Sequence, residues 1–226
     1  SINETFPYDY VIKKTEQSLK NLNLDFVDIH QFHVWDDGWT DQTEWFDAIS
    51  KLKEEGKIRH FGVSINDHQP ENALRLAATG KVDTFQVIYN IFDQSPEDKL
   101  FPFCQEKNIG VIVRVPLDEG GLGGSITADT VFPDGDFRND YFKGDRKQQI
   151  VDRVSKLLQI SAAEAQGIAE LALRFTLSPP AVSTVIPGMR SMKNVEANCA
   201  LSDGRLLSAK LLSELKNHRW VRDFYH

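Results

Sequence analysis

The sequence has little cysteine, no excess of basic charge and no long apolar run. Its two cysteines, Cys104 and Cys199, are too few for a disulfide framework in 226 residues, so a reduced, cytoplasmic setting is expected. The 33 acidic residues outnumber the 26 lysines and arginines, and the net charge of −7 argues against nonspecific nucleic-acid binding. Its longest apolar runs, such as residues 109–113, are far too short to span a membrane.

The composition favours a folded core. Hydrophobic residues make up 41% of the chain and charged residues 26%, which is typical of a globular protein and not of a disordered one. No low-complexity linker interrupts the chain. We therefore expect residues 1–226 to form a single domain.

The apolar pattern alternates between helical and strand periods. Thr40 or Asp41 is expected to cap the second helix. Residues 118–145 are rich in glycine and acidic residues and have no period, and so long a loop is usually functional or mobile. Helices are predicted at residues 8–22, 40–55, 70–78, 96–107, 148–158, 162–177, 191–200 and 208–217, and strands at residues 26–32, 59–64, 84–89, 110–115 and 181–186.

Strands that alternate with helices predict an α/β fold with parallel pairing and right-handed crossovers. From the pattern alone, the sheet is either a barrel or a doubly wound open sheet. A (β/α)8 barrel needs eight strands, so a barrel would lack about three of its units in this chain. The open edges beside residues 26–32 and 181–186 would then be covered by other residues or by another copy of the chain.

Polar residues at a strand end and at a helix start are candidate site residues. His33 ends the first strand, in the segment that we expect to contain the active site. His30 and His33 could suggest a metal, but residues three apart on a strand point to opposite faces, so no metal site is expected. Arg190 precedes Ser191, the expected N-cap of a helix, and a helix N-terminus attracts anions.

Four stretches together resemble the aldo-keto reductase family, over residues 8–200. Their order and spacing carry the resemblance more than any single stretch does. They are LDFVDIHQFHVW at residues 24–35, GKIRHFGVS at 56–64, TFQVIYN at 84–90, and LALRFTLSPPAVSTVIPG at 171–188 with the helix that follows it.

The resemblance implies a (β/α)8 TIM barrel that binds NADP(H) without a Rossmann domain and reversibly reduces aldehydes and ketones. The family's catalytic residues are an Asp, a Tyr, a Lys and a His. Judged from the shared stretches, this chain starts at the helix before the fourth barrel strand, so it is a C-terminal portion with about five of the eight units. It has the histidine and lacks the region that bears the other three.

The resemblance also assigns individual residues. His33 matches the histidine that orients the substrate carbonyl, and Arg190 matches the residue that grips a 2′-phosphate. Ile65 separates Ser64 from Asn66 where the family often has Ser-Asn in succession, and one residue along a strand changes the face. The cofactor-binding residues implied are Ser64, Asn66, Gln86, Arg114, Val115, Pro116, Leu117, Gly121, Gly188, Met189, Arg190, Asn194 and Asn198.

Two functions remain open at this point. The first is an NADP-dependent oxidoreductase that reduces a small-molecule carbonyl substrate, with the fragment itself inactive. The second is a catalytically silent, reductase-like subunit that binds nucleotide or regulates a partner, which the missing Asp, Tyr and Lys favour. No nucleic acid or membrane is expected as a partner, and the open sheet edges favour a homo-oligomer.

Overall fold

The computed structural model describes residues 1–161, 163–220 and 222–225. The chain divides into two compact units, the first of residues 1–87 and 99–111 and the second of residues 88–98 and 112–226. The single domain expected from the sequence stays a prediction. In the described parts of the chain, no helix is long and apolar enough to cross a membrane.

The strands confirm the sequence prediction to within one residue at each end. Neighbours in the sheet are also neighbours in the chain, in the order β1-β2-β3-β4-β5. A doubly wound open sheet would reverse its strand order at a switch point, whereas a barrel adds each strand beside the last, so this order is that of a partial TIM barrel. The strands are β1 Val27–Phe32, β2 Ile58–Ser64, β3 Thr84–Ile88, β4 Gly110–Arg114 and β5 Val182–Val185.

Strand β2 pairs in parallel with both β1 and β3. In the register, Phe32 lies opposite Val63, and Ser64 lies opposite Gln86. The amide of Ile65 continues the ladder with a 2.8 Å hydrogen bond to the carbonyl of Gln86. The carboxyl ends of these strands therefore stay aligned, which brings their last side chains to one edge.

Two helices precede β1, and the others follow the strands along the chain. A short helix, α1, was not predicted, because its four residues are too few to show a period. The others are α2 to α10, in the same order as the predicted ones, with one short addition inside the long loop. The helices are α1 Ile2–Thr5, α2 Tyr8–Leu22, α3 Glu44–Glu54, α4 Leu74–Ala78, α5 Leu100–Lys107, α6 Arg138–Tyr141, α7 Arg146–Ser161, α8 Ile168–Leu177, α9 Met192–Cys199 and α10 Ala209–Leu215.

Helix α2 shows how local sequence sets an element. Its buried residues Val11, Thr15 and Leu19 recur every four positions and so form one apolar face. Asn23 ends the helix in a left-handed conformation, at φ 55°, which asparagine tolerates better than most residues. Both ends of this helix match the prediction.

The predicted start of α3 was wrong. The helix begins at Glu44, and neither Thr40 nor Asp41 caps it. The Thr40 hydroxyl instead donates to Asp37, and Asp41 pairs with Arg75 at 2.6 Å. The side chains of Thr40 and Asp41 are therefore engaged by residues elsewhere in the fold and do not cap the helix.

The predicted starts of α4 and α5 were also too early. Residues 70–73 form turns, in which Asn72 accepts from the Asp37 amide at 2.9 Å and donates to the Trp35 carbonyl at 2.8 Å. Before α5, a short 3-10 turn spans Ser95–Glu97. In both places proline begins a turn and not the α-helix itself.

The remaining helices differ from prediction mainly at their ends. Helix α7 is longer than predicted and runs to Ser161, whereas α8 begins only at Ile168. The predicted first residue of α8, Ala162, lies outside the described residues. The 118–145 segment holds a 3-10 turn at Asp118–Gly120 and the single turn of α6.

The first unit has an aromatic core between sheet and helices. Phe32 of β1 meets Phe61 of β2 with ring centroids 4.9 Å apart, and Trp45 of α3 lies 5.6 Å from Phe61. Trp35, just beyond β1, packs edge-on against Trp45 at 5.1 Å. The chain that leaves β1 is therefore anchored immediately after His33.

The second unit has its own core. Tyr89 stacks on Phe175 of α8 with centroids 5.3 Å apart. Arg174, on the same helix, is buried and donates to Glu170 and to both oxygens of Asp203. These bonds hold the pKa of Asp203 below its usual range, chiefly through the Arg174 hydrogen bond. The network fixes α8 to the segment that follows α9.

Candidate active site

The second unit contains a cavity of about 700 Å³, a size typical of small-molecule and cofactor sites. We call it the β4 cavity, because its first lining residues directly follow strand β4. Four other segments complete it, from the glycine-rich loop, the start of α6, the start of α8 and the chain that runs from the end of β5 into α9. The lining residues are Val115, Pro116, Leu117, Glu119, Gly120, Gly123, Ser125, Phe137, Arg138, Ala169, Ile186, Gly188, Arg190, Lys193, Asn194, Ala197 and Asn198.

The backbone after β4 is strained where it enters the cavity wall. Val115 has φ 53°, a left-handed conformation that costs a β-branched residue about 1–3 kcal/mol. The buried side chain of Asn90 compensates by donating to the Val115 carbonyl at 3.0 Å. The other end of that amide accepts from the Phe92 and Asp93 amides, each at 2.9 Å. Asn90 thus fixes the turn that aims residues 115–117 at the cavity.

The start of α9 supplies the basic side of the cavity. Ser191 caps the helix by accepting from the Asn194 amide at 3.2 Å, as predicted. Arg190 and Lys193 are both exposed and flank this cap. Asn198 donates to the Gly188 carbonyl at 3.2 Å, which ties the helix to the loop before it. Two cations beside the positive end of a helix suit a phosphate group.

Arg138 is also basic, but its charge is matched by a neighbour. It donates to Asp136 with bonds of 2.9 Å from Nε and 2.5 Å from Nη2. This pairing lowers the pKa of Asp136 to about 2. Arg138 therefore contributes less net positive charge to the cavity than Arg190 and Lys193 do.

Seven of the predicted cofactor residues line the β4 cavity. They come from the two segments that the sequence singled out, after β4 and around the start of α9. They are Val115, Pro116, Leu117, Gly188, Arg190, Asn194 and Asn198.

Three other predicted residues of this unit do not line the cavity. Arg114 is half-buried on β4, and Met189 is exposed beside the lining residues Gly188 and Arg190. Gly121 is buried, and a Cβ atom there would lie 2.7 Å from Asp118 Oδ2. The glycine at this position therefore makes room for Asp118, which is a packing role and not a direct cavity contact.

The sequence reading missed several lining residues. Glu119 lies beside the glycines of the loop, and Lys193 lies in the first turn of α9. The start of this helix had already been marked as an anion site, so Lys193 could have been found from its place at the helix N-terminus. Phe137 could not, because the loop that carries it has no period.

The strand ends of the first unit bring three predicted residues into line. Ser64 lies opposite Gln86 in the register. Phe32 lies opposite Val63, so the next residue, His33, falls opposite Ser64. The three residues therefore occupy one row across the sheet, on one face. His33 is exposed, Gln86 is half-buried and Ser64 is buried. Polar side chains that share a face at the carboxyl ends of barrel strands are typical of an active site.

His30 points away from this row. Its Nε2 lies 3.5 Å from the hydroxyl of Thr15 on α2, on the helix-covered face. Burial lowers the pKa of His30. The alternation of the strand thus separates His30 from His33. Among the residues that the structure describes, no group of three or more His, Cys, Asp or Glu side chains is arranged to hold a metal.

Asn66 is placed differently from its predicted role. Its amide oxygen accepts from the Trp35 amide at 3.4 Å, and its Nδ2 donates to the Trp35 carbonyl at 3.0 Å. Both ends of the carboxamide are thus used to hold the chain after β1. Asn66 lies beyond the end of β2, where its side chain meets the chain that follows β1.

A sheet that adds strands in sequence order, with polar strand ends and a basic cavity, defines a β/α-barrel protein. A model of the Aldo/keto reductase family matches residues 1–219, so the chain belongs to that family. The match covers nearly the whole chain and does not by itself assign the chain to the C-terminal end of the family's barrel.

The chain is similar to characterised relatives over much of its length. It is 30% identical over 195 residues to the aldo-keto reductase yakc [NADP(+)] of Schizosaccharomyces pombe, covering 84% of this chain and 56% of that protein. It is 30% identical over 187 residues to the NADH-specific methylglyoxal reductase of Escherichia coli, covering 81% and 56%. The chain thus spans about half the length of these two relatives.

Solved structures agree on the fold. The holo form of an aldo-keto reductase from Bacillus halodurans matches 97% of this chain and 68% of its own, with a TM-score of 0.73 and 26% identity. The glycerol dehydrogenase of Gluconobacter oxydans matches 93% of this chain and 64% of its own, with a TM-score of 0.79 and 24% identity.

Proposed function

We propose that this chain is part of an NADP(H)-dependent carbonyl reductase, which reduces an aldehyde or ketone to an alcohol. The observation that carries the proposal is the β4 cavity with Arg190 and Lys193 at the start of α9. A small-molecule carbonyl substrate and a cytoplasmic location are parts of this proposal. Because one relative is named for NADP(+) and another for NADH, the preference for NADP(H) depends on these two cations.

The residues of the β4 cavity fit the phosphate and adenosine portions of the cofactor. Arg190 would pair with the 2′-phosphate, a charge-assisted contact that NADH cannot make. Asn194 and Asn198 would bind the adenine side, as the family resemblance implies. The strained turn at residues 115–117 would present its backbone to the pyrophosphate.

In the first unit, the row of His33, Ser64 and Gln86 suits the nicotinamide and the substrate carbonyl. Ser64 and Gln86 would bind the nicotinamide carboxamide, which both donates and accepts hydrogen bonds. His33 would donate a hydrogen bond to the substrate carbonyl oxygen and so stabilise negative charge that develops there. The bound nicotinamide supplies the hydride. Asn66, whose amide is engaged by Trp35, has no part in this proposal.

We also propose that these 226 residues correspond to the C-terminal portion of the family's barrel and are inactive alone. The sequence has no match to the family's Asp, Tyr and Lys. The proton donor of the reaction would then come from other residues. A reductase-like subunit without turnover is the competing function.

Cofactor titration followed by a turnover assay tests the proposal. NADPH should quench protein fluorescence with higher affinity than NADH, and the complete gene product should oxidise NADPH when an aldehyde such as methylglyoxal is added. Binding without turnover on a panel of aldehydes and ketones would support the silent subunit. If neither cofactor binds, the proposal is wrong.

A further inference from the structure

The last residues of the chain form a segment that packs inside the second unit. We call residues 219–225 the C-terminal strap, of which the structure describes all but Val221. Arg219 forms two bonds to Asp98, of 2.8 and 2.5 Å, and the Trp220 amide donates to the Phe92 carbonyl at 2.9 Å. His226, the last residue of the same tail, lies outside the described residues.

The centre of the strap holds a buried ion pair with the glycine-rich loop. Arg222 donates to Asp118, and these side chains are only 5% and 2% exposed. Tyr141 also donates to Asp118, at 3.0 Å, and Arg222 lies over the ring of Trp220 at 4.4 Å. A buried carboxylate needs such partners, because leaving it unpaired is costly.

The end of the strap binds the next residue of that loop. Tyr225 donates from its hydroxyl to Glu119 Oε1 at 2.5 Å, and Glu119 lines the β4 cavity. Both loop residues have left-handed backbones, with φ 51° at Asp118 and 54° at Glu119. Residues other than glycine rarely adopt this conformation unless the surroundings impose it. The strap supplies those surroundings.

Glu119 is out of place in a cavity that we propose binds phosphate groups. The other charged residues of its lining are Arg190, Lys193 and the Asp136-paired Arg138, and a carboxylate facing a pyrophosphate would repel it. The hydrogen bond from Tyr225 holds one carboxylate oxygen toward the strap. A loop that lost this bond would leave the Glu119 carboxylate free to turn into the cavity.

We propose that the C-terminal strap sets the affinity of the β4 cavity for the cofactor's pyrophosphate, with Arg222 and Tyr225 as positioning residues. Arg222 fixes the loop through Asp118, and Tyr225 keeps the charge of Glu119 away from the pyrophosphate. This inference rests on the proposed binding of NADP(H). It assigns to the chain's last residues a role in cofactor binding, whereas neither residue lines the cavity.

Charge rescue is the sharpest test of this role. Tyr225→Phe should weaken NADPH binding about tenfold, because the freed carboxylate then opposes the pyrophosphate. The double variant Tyr225→Phe with Glu119→Gln should recover most of that loss, since the amide carries no charge. A purely structural role for Tyr225 predicts no such recovery.

Binding of a second ligand distinguishes an effect on the pyrophosphate from an effect on the rest of the cofactor. Adenosine 2′-monophosphate carries the 2′-phosphate but no pyrophosphate, so Tyr225→Phe should leave its affinity unchanged. Arg219→Met is the matched control within the strap, because Asp98 does not line the cavity. It should leave NADPH affinity within about twofold of the unmodified protein.

Hydrogen exchange tests the strap without any cofactor. Arg222→Met should speed exchange of the amides of residues 117–124, and Arg222→Lys should do so less. If Arg222→Met does not fold, Tyr225→Phe alone decides the outcome. Unchanged NADPH affinity together with unchanged exchange in Tyr225→Phe would overturn the inference. If the unmodified protein binds no NADPH, the proposed function fails, and the exchange result still decides whether the strap holds the loop.

Discussion

Arg190 carries the proposed choice between cofactors. It lines the β4 cavity beside the cap of α9, and its guanidinium can pair with a phosphate in two parallel bonds. Arg190→Ala is therefore expected to weaken NADPH binding roughly tenfold or more and to change NADH binding little. Fluorescence titration with both cofactors measures the difference. Equal weakening of the two would contradict the assignment.

Lys193 offers a matched comparison at the same helix start. It lines the same cavity one turn later, but an ammonium is a point charge without the planar fork of Arg190. Lys193→Ala should therefore weaken NADPH binding less than Arg190→Ala does. A larger effect at Lys193 would move the 2′-phosphate site along the helix.

His30 is expected to make stability depend on pH. Burial lowers its pKa below the ordinary 6.5, because the charged imidazolium is disfavoured beside α2. The unfolded chain then binds more protons, so the free energy of unfolding decreases as pH falls through about 6.5 toward the folded pKa.

Urea unfolding at a series of pH values measures this contribution. His30→Gln cannot titrate and should flatten the curve below about pH 6.5. Some slope should remain, because burial also lowers the pKa of His218. An unchanged slope in His30→Gln would show that His30 does not contribute.

At the scale of elements, the predicted bounds of a helix were correct where the local sequence pattern agreed with the tertiary contacts. Helix α2 has both a regular apolar face and an asparagine end, and both of its bounds were correct. Helix α3 failed because Thr40 and Asp41 are engaged by Asp37 and Arg75, which lie elsewhere in the fold. Such competition between a cap and a distant partner cannot be read from one segment.

The candidate site likewise has a part that could be predicted from the sequence and a part that could not. Residues 115–117 and the start of α9 were predicted, because they adjoin a strand end and a capped helix. The bond from Tyr225 to Glu119 was not, because it joins side chains over a hundred residues apart. The packing role of Gly121 was not either, because it depends on how the left-handed turn at Asp118 folds back toward Gly121. Sequence spacing indicates which residues share a helix or strand. Only the fold indicates which side chains from different elements meet.

The 118–145 loop is expected to close over the cofactor. Its first residues and the residues at the start of α6 contribute to the β4 cavity, through Glu119 and through Phe137 and Arg138. Its first part is already held by the strap, whereas Val131 is 87% exposed. Adding NADPH should therefore slow hydrogen exchange mainly in residues 125–137.

Mass spectrometry of exchanged peptides can follow this change. Arg190→Ala gives the control, because a protein that binds NADPH weakly should show less slowing at the same concentration. Exchange that is indifferent to NADPH in the unmodified protein would mean that the loop is passive.

At the scale of the whole molecule, the two ends of the sheet decide how the 226-residue chain behaves alone. Strands β1 and β5 end the described strand order, so each has one neighbour in it. In the first unit, Ile29 on β1 is 42% exposed, and in the second, Ile186 just after β5 is 48% exposed. A strand edge with exposed apolar side chains is a surface for pairing with another chain.

We therefore expect the 226-residue chain, expressed by itself, to self-associate and to show no carbonyl-dependent oxidation of NADPH. Sedimentation velocity over a range of concentrations measures the association. Ile29→Lys should reduce it, because a lysine on an edge strand opposes pairing, whereas Lys107→Ala at an exposed helix end should not. A longer chain that supplies further β/α units should instead be monodisperse and active. A monodisperse 226-residue monomer with measurable turnover would refute both the inactivity of this chain and the alignment of β1 with the family's fourth strand.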